Sequence, residues 1–163
     1  MYDKEKYMTV DPKTGYRNDP FKWLIKKSKL SANAGVYGGN NPSKMVGMKD
    51  ENGKPYSYHN PKLDPKTGLK AGTKKHTITA DDLEKLWRKQ NGICYWSGFP
   101  MELGGLFVSN SPWAPSVERL DNSKGYILGN VVLATSFANK GRGAYKGSNL
   151  AFKRKLRRLQ REA

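Results

Sequence analysis

Three stretches of this chain carry enough apolar periodicity to predict helices. In the first, Asp19 can cap, Pro20 suits the first turn, and Phe21, Leu24 and Ile25 form an apolar stripe beside Lys22, Lys26, Lys27 and Lys29. In the second, Thr79-Ala80-Asp81-Asp82 reads as a capped start with acids in the first turn. Leu83, Leu86 and Trp87 then follow at i, i+3 and i+4, and Asn91-Gly92 ends the helix. In the third, from Asn149 to Arg161, Phe152, Leu156 and Leu159 lie on one face and cations cover the others. A membrane-surface helix can share that pattern, but so narrow an apolar stripe suits packing on a domain.

Between the second and third helices the apolar runs are short. Ile93-Cys94-Tyr95-Trp96 predicts a strand, Ser97-Gly98 a turn, and Phe99 to Met101 and Leu106 to Val108 further extended pieces. Val117 to Leu120 and Val131 to Ala134 predict two strands joined through a turn at Asn122 to Gly129, with a helix from about Thr135. The whole reads as an α+β chain. Residues 1–75 form a loop-rich extension with one helix, 76–145 a core, and 146–163 a basic C-terminal helix. Within the extension, Asp11-Pro12-Lys13-Thr14-Gly15 recurs as Asp64-Pro65-Lys66-Thr67-Gly68, and both copies suit tight turns. The stretch from Ala34 to Asn60 reads equally as an arm that tracks a nucleic-acid groove and as disorder.

Charge adds a partner to this picture. Lys and Arg number 30 against 14 Asp and Glu, a formal net charge of +16 on 163 residues. Such an excess is self-repulsive in isolation and favours a polyanion, most often nucleic acid. No apolar run approaches the roughly 20 residues that span a bilayer, and no hydrophobic region follows Met1-Tyr2-Asp3-Lys4-Glu5. A cytoplasmic protein that is neither secreted nor membrane-bound is therefore expected. One cysteine, Cys94, rules out an intramolecular disulfide and a multi-thiolate zinc site.

The candidate chemistry lies between residues 115 and 139. Pro115-Ser116-Val117-Glu118-Arg119-Leu120-Asp121 is followed by Gly125-Tyr126, Gly129-Asn130-Val131-Val132 and Asn139. With Gln90-Asn91-Gly92-Ile93-Cys94 and Ser97-Gly98-Phe99-Pro100-Met101 before it, this order resembles the HNH (ββα-metal, His-Me finger) nucleases over residues 76–142. The pieces resemble phage-encoded endonucleases of the homing or free-standing type. The resemblance implies a ββα-metal core that hydrolyses double-stranded DNA. It also implies that Glu118 and Asn139 hold one Mg²⁺, or a similar ion such as Mn²⁺, through hard oxygen donors. Asn130 and Asp121 would brace the loop.

One position departs from the family. Its usual general base is a histidine where Arg119 stands, and arginine cannot accept a proton at neutral pH. Arginine can instead grip a phosphate and stabilise developing charge. Some restriction enzymes of the superfamily carry arginine here and use a tyrosine near the scissile phosphate. Tyr126 is therefore a candidate to orient or deprotonate the water, or else a packed loop aromatic. His76 is the next candidate base and His59 a weaker one, each open to a structural or surface role. Relatives often hold zinc with two Cys-x-x-Cys pairs. Here Cys94-Tyr95-Trp96-Ser97 and Thr135-Ser136-Phe137-Ala138 stand in those places, so no structural zinc is expected and Tyr95, Trp96 and Phe137 are expected to fill the space.

Lys22, Lys26, Lys140, Arg142, Lys153, Arg157 and Arg158 are the expected DNA contacts. A double-strand cut from one site per chain would need a homodimer or two sequential events. The alternative function is a non-catalytic DNA- or RNA-binding protein on a degenerate HNH scaffold, with Glu118-Arg119 a surface ion pair.

Overall fold

The computed structural model describes residues 2–34, 49–55, 63, 65–66 and 73–163. A short helix α1 (Lys4–Tyr7) leads into an antiparallel hairpin of β1 (Thr9–Val10) and β2 (Arg17–Asn18). The first Asp-Pro-Lys-Thr-Gly copy closes that hairpin. Asp11 accepts hydrogen bonds from the Lys13 amide and the Thr14 hydroxyl, and Gly15 turns at φ 71°. Most of the second copy, and most of the stretch from Ala34 to Asn60, lies outside the described residues.

Helix α2 (Pro20–Ala34) begins where the sequence predicts. The Asp19 carboxylate accepts from the Phe21 and Lys22 amides and from the Tyr2 hydroxyl, which satisfies donors the helix itself cannot pair. Phe21 is completely buried, edge-on to Tyr2, Tyr7 and Trp87 at ring-centroid distances of 5.9, 5.3 and 6.2 Å. Leu24 is also buried, and α2 packs on the second long helix and on the central sheet. The helix of the N-terminal extension thus shares one core with the residues after 76.

Helix α3 (Ala80–Lys89) carries a capping box. Thr79 Oγ1 accepts from the Asp82 amide, and the Asp82 carboxylate accepts from the Thr79 amide. The exit turn places Asn91 and Gly92 at φ 53° and 68°, so the Asn-Gly pair supplies the left-handed residues a helix end commonly uses.

The strand predicted at Ile93 to Trp96 does not form. Ile93 makes a single bridge to Pro100, and residues 94–97 turn back so that the Gly98 amide donates to the Cys94 carbonyl. One backbone bond to β4 remains, from the Tyr95 amide to the Leu133 carbonyl at 3.0 Å, and the Gln90 side chain takes the rest of that ladder position. Gln90 Nε2 donates to the Leu133 carbonyl at 2.7 Å while its Oε1 accepts from the Leu133 amide at 2.9 Å, so one side-chain amide substitutes for a neighbouring peptide. A second extended piece, Leu106 to Val108, is replaced by a 3₁₀ turn over Leu103–Phe107. Gly105 permits it, because a Cβ there would sit 2.7 Å from Ser111 Oγ.

Strands β3 (Pro115–Arg119) and β4 (Val131–Thr135) pair antiparallel, with Val117 opposite Leu133 and Glu118 opposite Val132. Every residue of β4 is buried, so this strand is the centre of the core. Helix α4 (Ser136–Ala144) follows directly, capped by Thr135 Oγ1, which accepts from the Ala138 amide. Strand, strand and helix therefore succeed one another in a mixed α+β architecture.

Residues 74–78 lie against the loop that joins β3 to β4. The Tyr126 amide donates to the Lys75 carbonyl at 2.7 Å and the Thr77 amide to the Tyr126 carbonyl at 3.0 Å. The approach is so close that a Cβ on Gly125 would lie 2.2 Å from the Lys75 oxygen. Only glycine fits at 125.

Helix α5 (Asn149–Glu162) closes the chain, capped by Ser148. Its predicted apolar face buries less than expected. Phe152 is inside against Trp96 and Tyr145, Leu156 is half-buried, and Leu159 is exposed. The stripe drifts around the helix, and the core ends one turn before Leu159. No described helix is long and apolar enough to cross a membrane.

Candidate active site

The antiparallel pairing turns Glu118 inward from β3, where it is nearly buried. Its Oε2 accepts a hydrogen bond from Trp96 Nε1 at 3.4 Å, and it forms no ion pair among the described residues. Burial pushes its carboxyl up to about 7, opposed by the Trp96 hydrogen bond and by the charges of Arg142 and Arg119. A cavity of about 250 Å³ gathers Glu118, Arg119, Tyr126, Asn139 and Arg142 within one wall. Asn139 reaches it from α4, with Nδ2 donating to Ser116 Oγ at 2.7 Å. That bond leaves the amide oxygen as the acceptor.

Arg119 serves the loop as well as the cavity. Its Nη1 donates to the Asn122 and Lys124 carbonyls at 2.9 and 3.0 Å, and its guanidinium carbon lies 5.2 Å from the Tyr126 ring centroid. Asn130 holds the same loop from inside. Its Oδ1 accepts from the Asp121 amide, and its Nδ2 donates to the Asp121 and Gly125 carbonyls. Asp121 points outward, accepting from the Ser123 amide and hydroxyl, and those bonds lower its pKa. Asn130→Ala leaves three loop groups without their partner and is expected to destabilise the protein by about 1–3 kcal/mol. Chemical denaturation checks this, and an unchanged midpoint would remove Asn130 as a brace.

His76 stands apart from the cavity. Ser28 donates its hydroxyl to the Ile25 carbonyl, so at the 2.8 Å contact His76 Nε2 is the donor and Ser28 Oγ the acceptor. Nδ1 is buried without a partner among the described residues. Burial, followed by the nearby Lys29 charge, lowers the His76 pKa, so a neutral ring packs 5.5 Å from Tyr126. It does not line the cavity that holds Glu118. His59 falls outside the described residues.

The expected DNA contacts divide by what each already holds. Arg142 lines the cavity, and its Nε donates to Asn149 Oδ1 at 2.6 Å while Asn149 Nδ2 donates to the Leu120 carbonyl. Arg157 is built into the fold. It donates to the carbonyls of Trp96, Cys94 and Tyr95, which fastens α5 to the 94–97 turn. Lys153 lies 3.7 Å from the Tyr95 ring centroid, and Arg158 pairs with Glu162 at 3.8 Å on the surface. Lys140 is exposed on α4. Lys22 and Lys26 line a shallow groove with Trp23 and Arg17 on the other side of α2.

Cys94 is buried, and its Sγ accepts from the Thr135 amide at 3.3 Å. Trp96 fills the interior there. Phe137, expected to do the same, is exposed because it occupies the outer face of the first turn of α4. Sequence reasoning did not single out Ser116, Trp96 and Asn149 as positioning groups for Asn139, Glu118 and Arg142. No local signal marks them, since each acts across more than six residues of chain. No protein-family model, curated protein or solved structure matches this chain.

Proposed function

We propose that this chain is a metal-dependent DNA endonuclease of the HNH type that hydrolyses phosphodiester bonds. The observation that carries the proposal is the nearly buried Glu118 carboxylate. It shares a cavity with Asn139, Arg119 and Arg142 at the junction of strand, strand and helix, in a chain of net charge +16. A carboxylate facing bound DNA is electrostatically unfavourable unless a cation intervenes. No cluster of three or more His, Cys, Asp or Glu exists among the described residues. The donor set is instead one carboxylate and one amide oxygen, which suits an ion that keeps several waters and takes phosphate oxygens, as Mg²⁺ does. Bound there, such an ion would stabilise negative charge on the phosphate and the departing oxygen.

The residues divide the remaining work. Glu118 and Asn139 would hold the ion. Arg142 and Arg119 favour an anionic phosphate in the same cavity. Tyr126, fixed between Lys75 and Thr77 by its backbone, would orient the attacking water with its ring under Arg119. The double-stranded DNA would lie across α4, α5 and Lys22 and Lys26 of α2.

Nicking of supercoiled plasmid with Mg²⁺ or Mn²⁺, and its loss with a chelator, tests the proposal. Mobility shift with no cleavage under any divalent ion would leave a binding protein in its place. Because the contacts are to phosphate, affinity is expected to fall steeply with salt, on the order of 10³-fold between 50 and 200 mM for six or more contacts. Fluorescence anisotropy across that range measures it, and a flat response counts against a DNA partner.

A further inference from the structure

A second, smaller cavity of about 130 Å³ adjoins the one at Glu118, and Val117, Tyr126 and Asn139 are walls of both. Its far wall is helix α2, through Lys27, Ser28 and Ser31, facing Ser116 and Ser136 of the strand-helix unit. No Asp or Glu lines it. Two of the hydroxyls are spent: Ser28 donates to the Ile25 carbonyl and Ser136 to the Ala114 carbonyl. Ser116 Oγ accepts from Asn139, which leaves its own proton to donate into the cavity. Lys27 and Ser31 are exposed at the rim. The pocket therefore presents an ammonium and two hydroxyl donors without a competing carboxylate, a set that suits a phosphate.

We propose that Lys27, Ser31 and Ser116 form a phosphate subsite for the backbone phosphate adjoining the one that is cut. The proposal rests on the nuclease reading of the neighbouring cavity. It gives α2 a part in the site that its place in the extension does not suggest. Because Ser116 Oγ also receives the Asn139 amide, a phosphate on its proton polarises the same hydroxyl toward Asn139 and links the two cavities through one atom. The subsite would hold the strand in register so that the cut phosphate lies at Glu118.

The test compares Lys27→Met/Ser31→Ala with Lys29→Met, a control on the same helix that lines neither cavity. Duplexes spanning a mapped cut carry one neutral methylphosphonate at each flanking position in turn. Wild type is expected to lose about tenfold in cleavage rate at one flanking position, the effect of one charge-assisted contact. The double variant is expected to lose about tenfold on unmodified DNA and to become insensitive to that one substitution. Lys29→Met should behave as wild type. If the double variant stays as sensitive as wild type at every position, or cuts unmodified DNA at full rate, the subsite is wrong.

Glu118→Gln separates the two ideas. If it cuts normally, or if wild type does not cut, the nuclease reading falls and the subsite is judged by duplex affinity alone. A tenfold affinity loss in the double variant with none in Lys29→Met then supports it, and equal affinities overturn it. If Glu118→Gln is inert while the double variant is unaffected, only the subsite fails.

Discussion

Glu118→Gln is expected to remove DNA cleavage by at least roughly 10²-fold while making the fold more stable above neutral pH. The two effects have one cause. Burial raises the Glu118 carboxyl from its usual 4.5 to about 7, so the folded protein resists the ionised form. Below about pH 4.5 the group is protonated in both folded and unfolded chains and contributes nothing. Between there and pH 7 the unfolded chain ionises while the folded one does not, and stability falls as pH rises. Above pH 7 both are ionised and the cost is constant, on the order of 3 kcal/mol.

Glutamine removes that cost, so the variant's melting temperature should exceed wild type at pH 8 and match it near pH 4. Mg²⁺ should raise the melting temperature of wild type at pH 8 and leave Glu118→Gln unmoved, since a ligand that binds only the folded state stabilises it by mass action. A purely structural Glu118 would give the pH effect without the metal effect. A variant that cuts like wild type, or melts lower at pH 8, would sink the assignment.

Phe21→Ala is expected to cost about 3–5 kcal/mol, the range for emptying a buried aromatic site. Phe21 is fully enclosed by Tyr2, Tyr7 and Trp87, and the helix that carries it packs on α3 and β3. Denaturant titration should show one transition, shifted as a whole. A loss below about 1 kcal/mol, or a separate early transition, would show that α2 is not part of the cooperative unit. The same variant should lower cleavage at temperatures where the wild type is fully folded, because α2 also walls the cavity beside Glu118.

Helix starts were legible because capping is local. Asp19 and Thr79, read as caps in the sequence, accept backbone amides within three residues, and Thr135 and Ser148 do the same in the structure. The β3–β4 pair was legible for a similar reason: two apolar runs flank a polar turn of the right length. The strand predicted at Ile93 to Trp96 was not, since its residues suit a strand but the chain turns back at 94–97 after a single backbone bond from Tyr95 to Leu133, and the Gln90 side chain, 43 residues away in sequence, pairs with the Leu133 amide instead. Leu159 failed likewise, because periodicity says which residues share a face and not where the core stops.

For the candidate site, Glu118, Arg119, Tyr126 and Asn139 were picked out by the resemblance to HNH nucleases, and they line one cavity. Arg142 and Arg157 look alike in the sequence as cations on basic helices. In the fold, one reaches the cavity while the other is consumed by three carbonyls of the 94–97 turn.

By itself, then, the sequence determined what depends on neighbours in the chain: the caps, the helical faces, the two central strands and the excess of positive charge. Which cations remain free, that His76 stands outside the Glu118 cavity, and that α2 stands beside that cavity were decided only by tertiary structure. Those outcomes depend on hydrogen bonds and burial between residues tens of positions apart, and no local pattern encodes them.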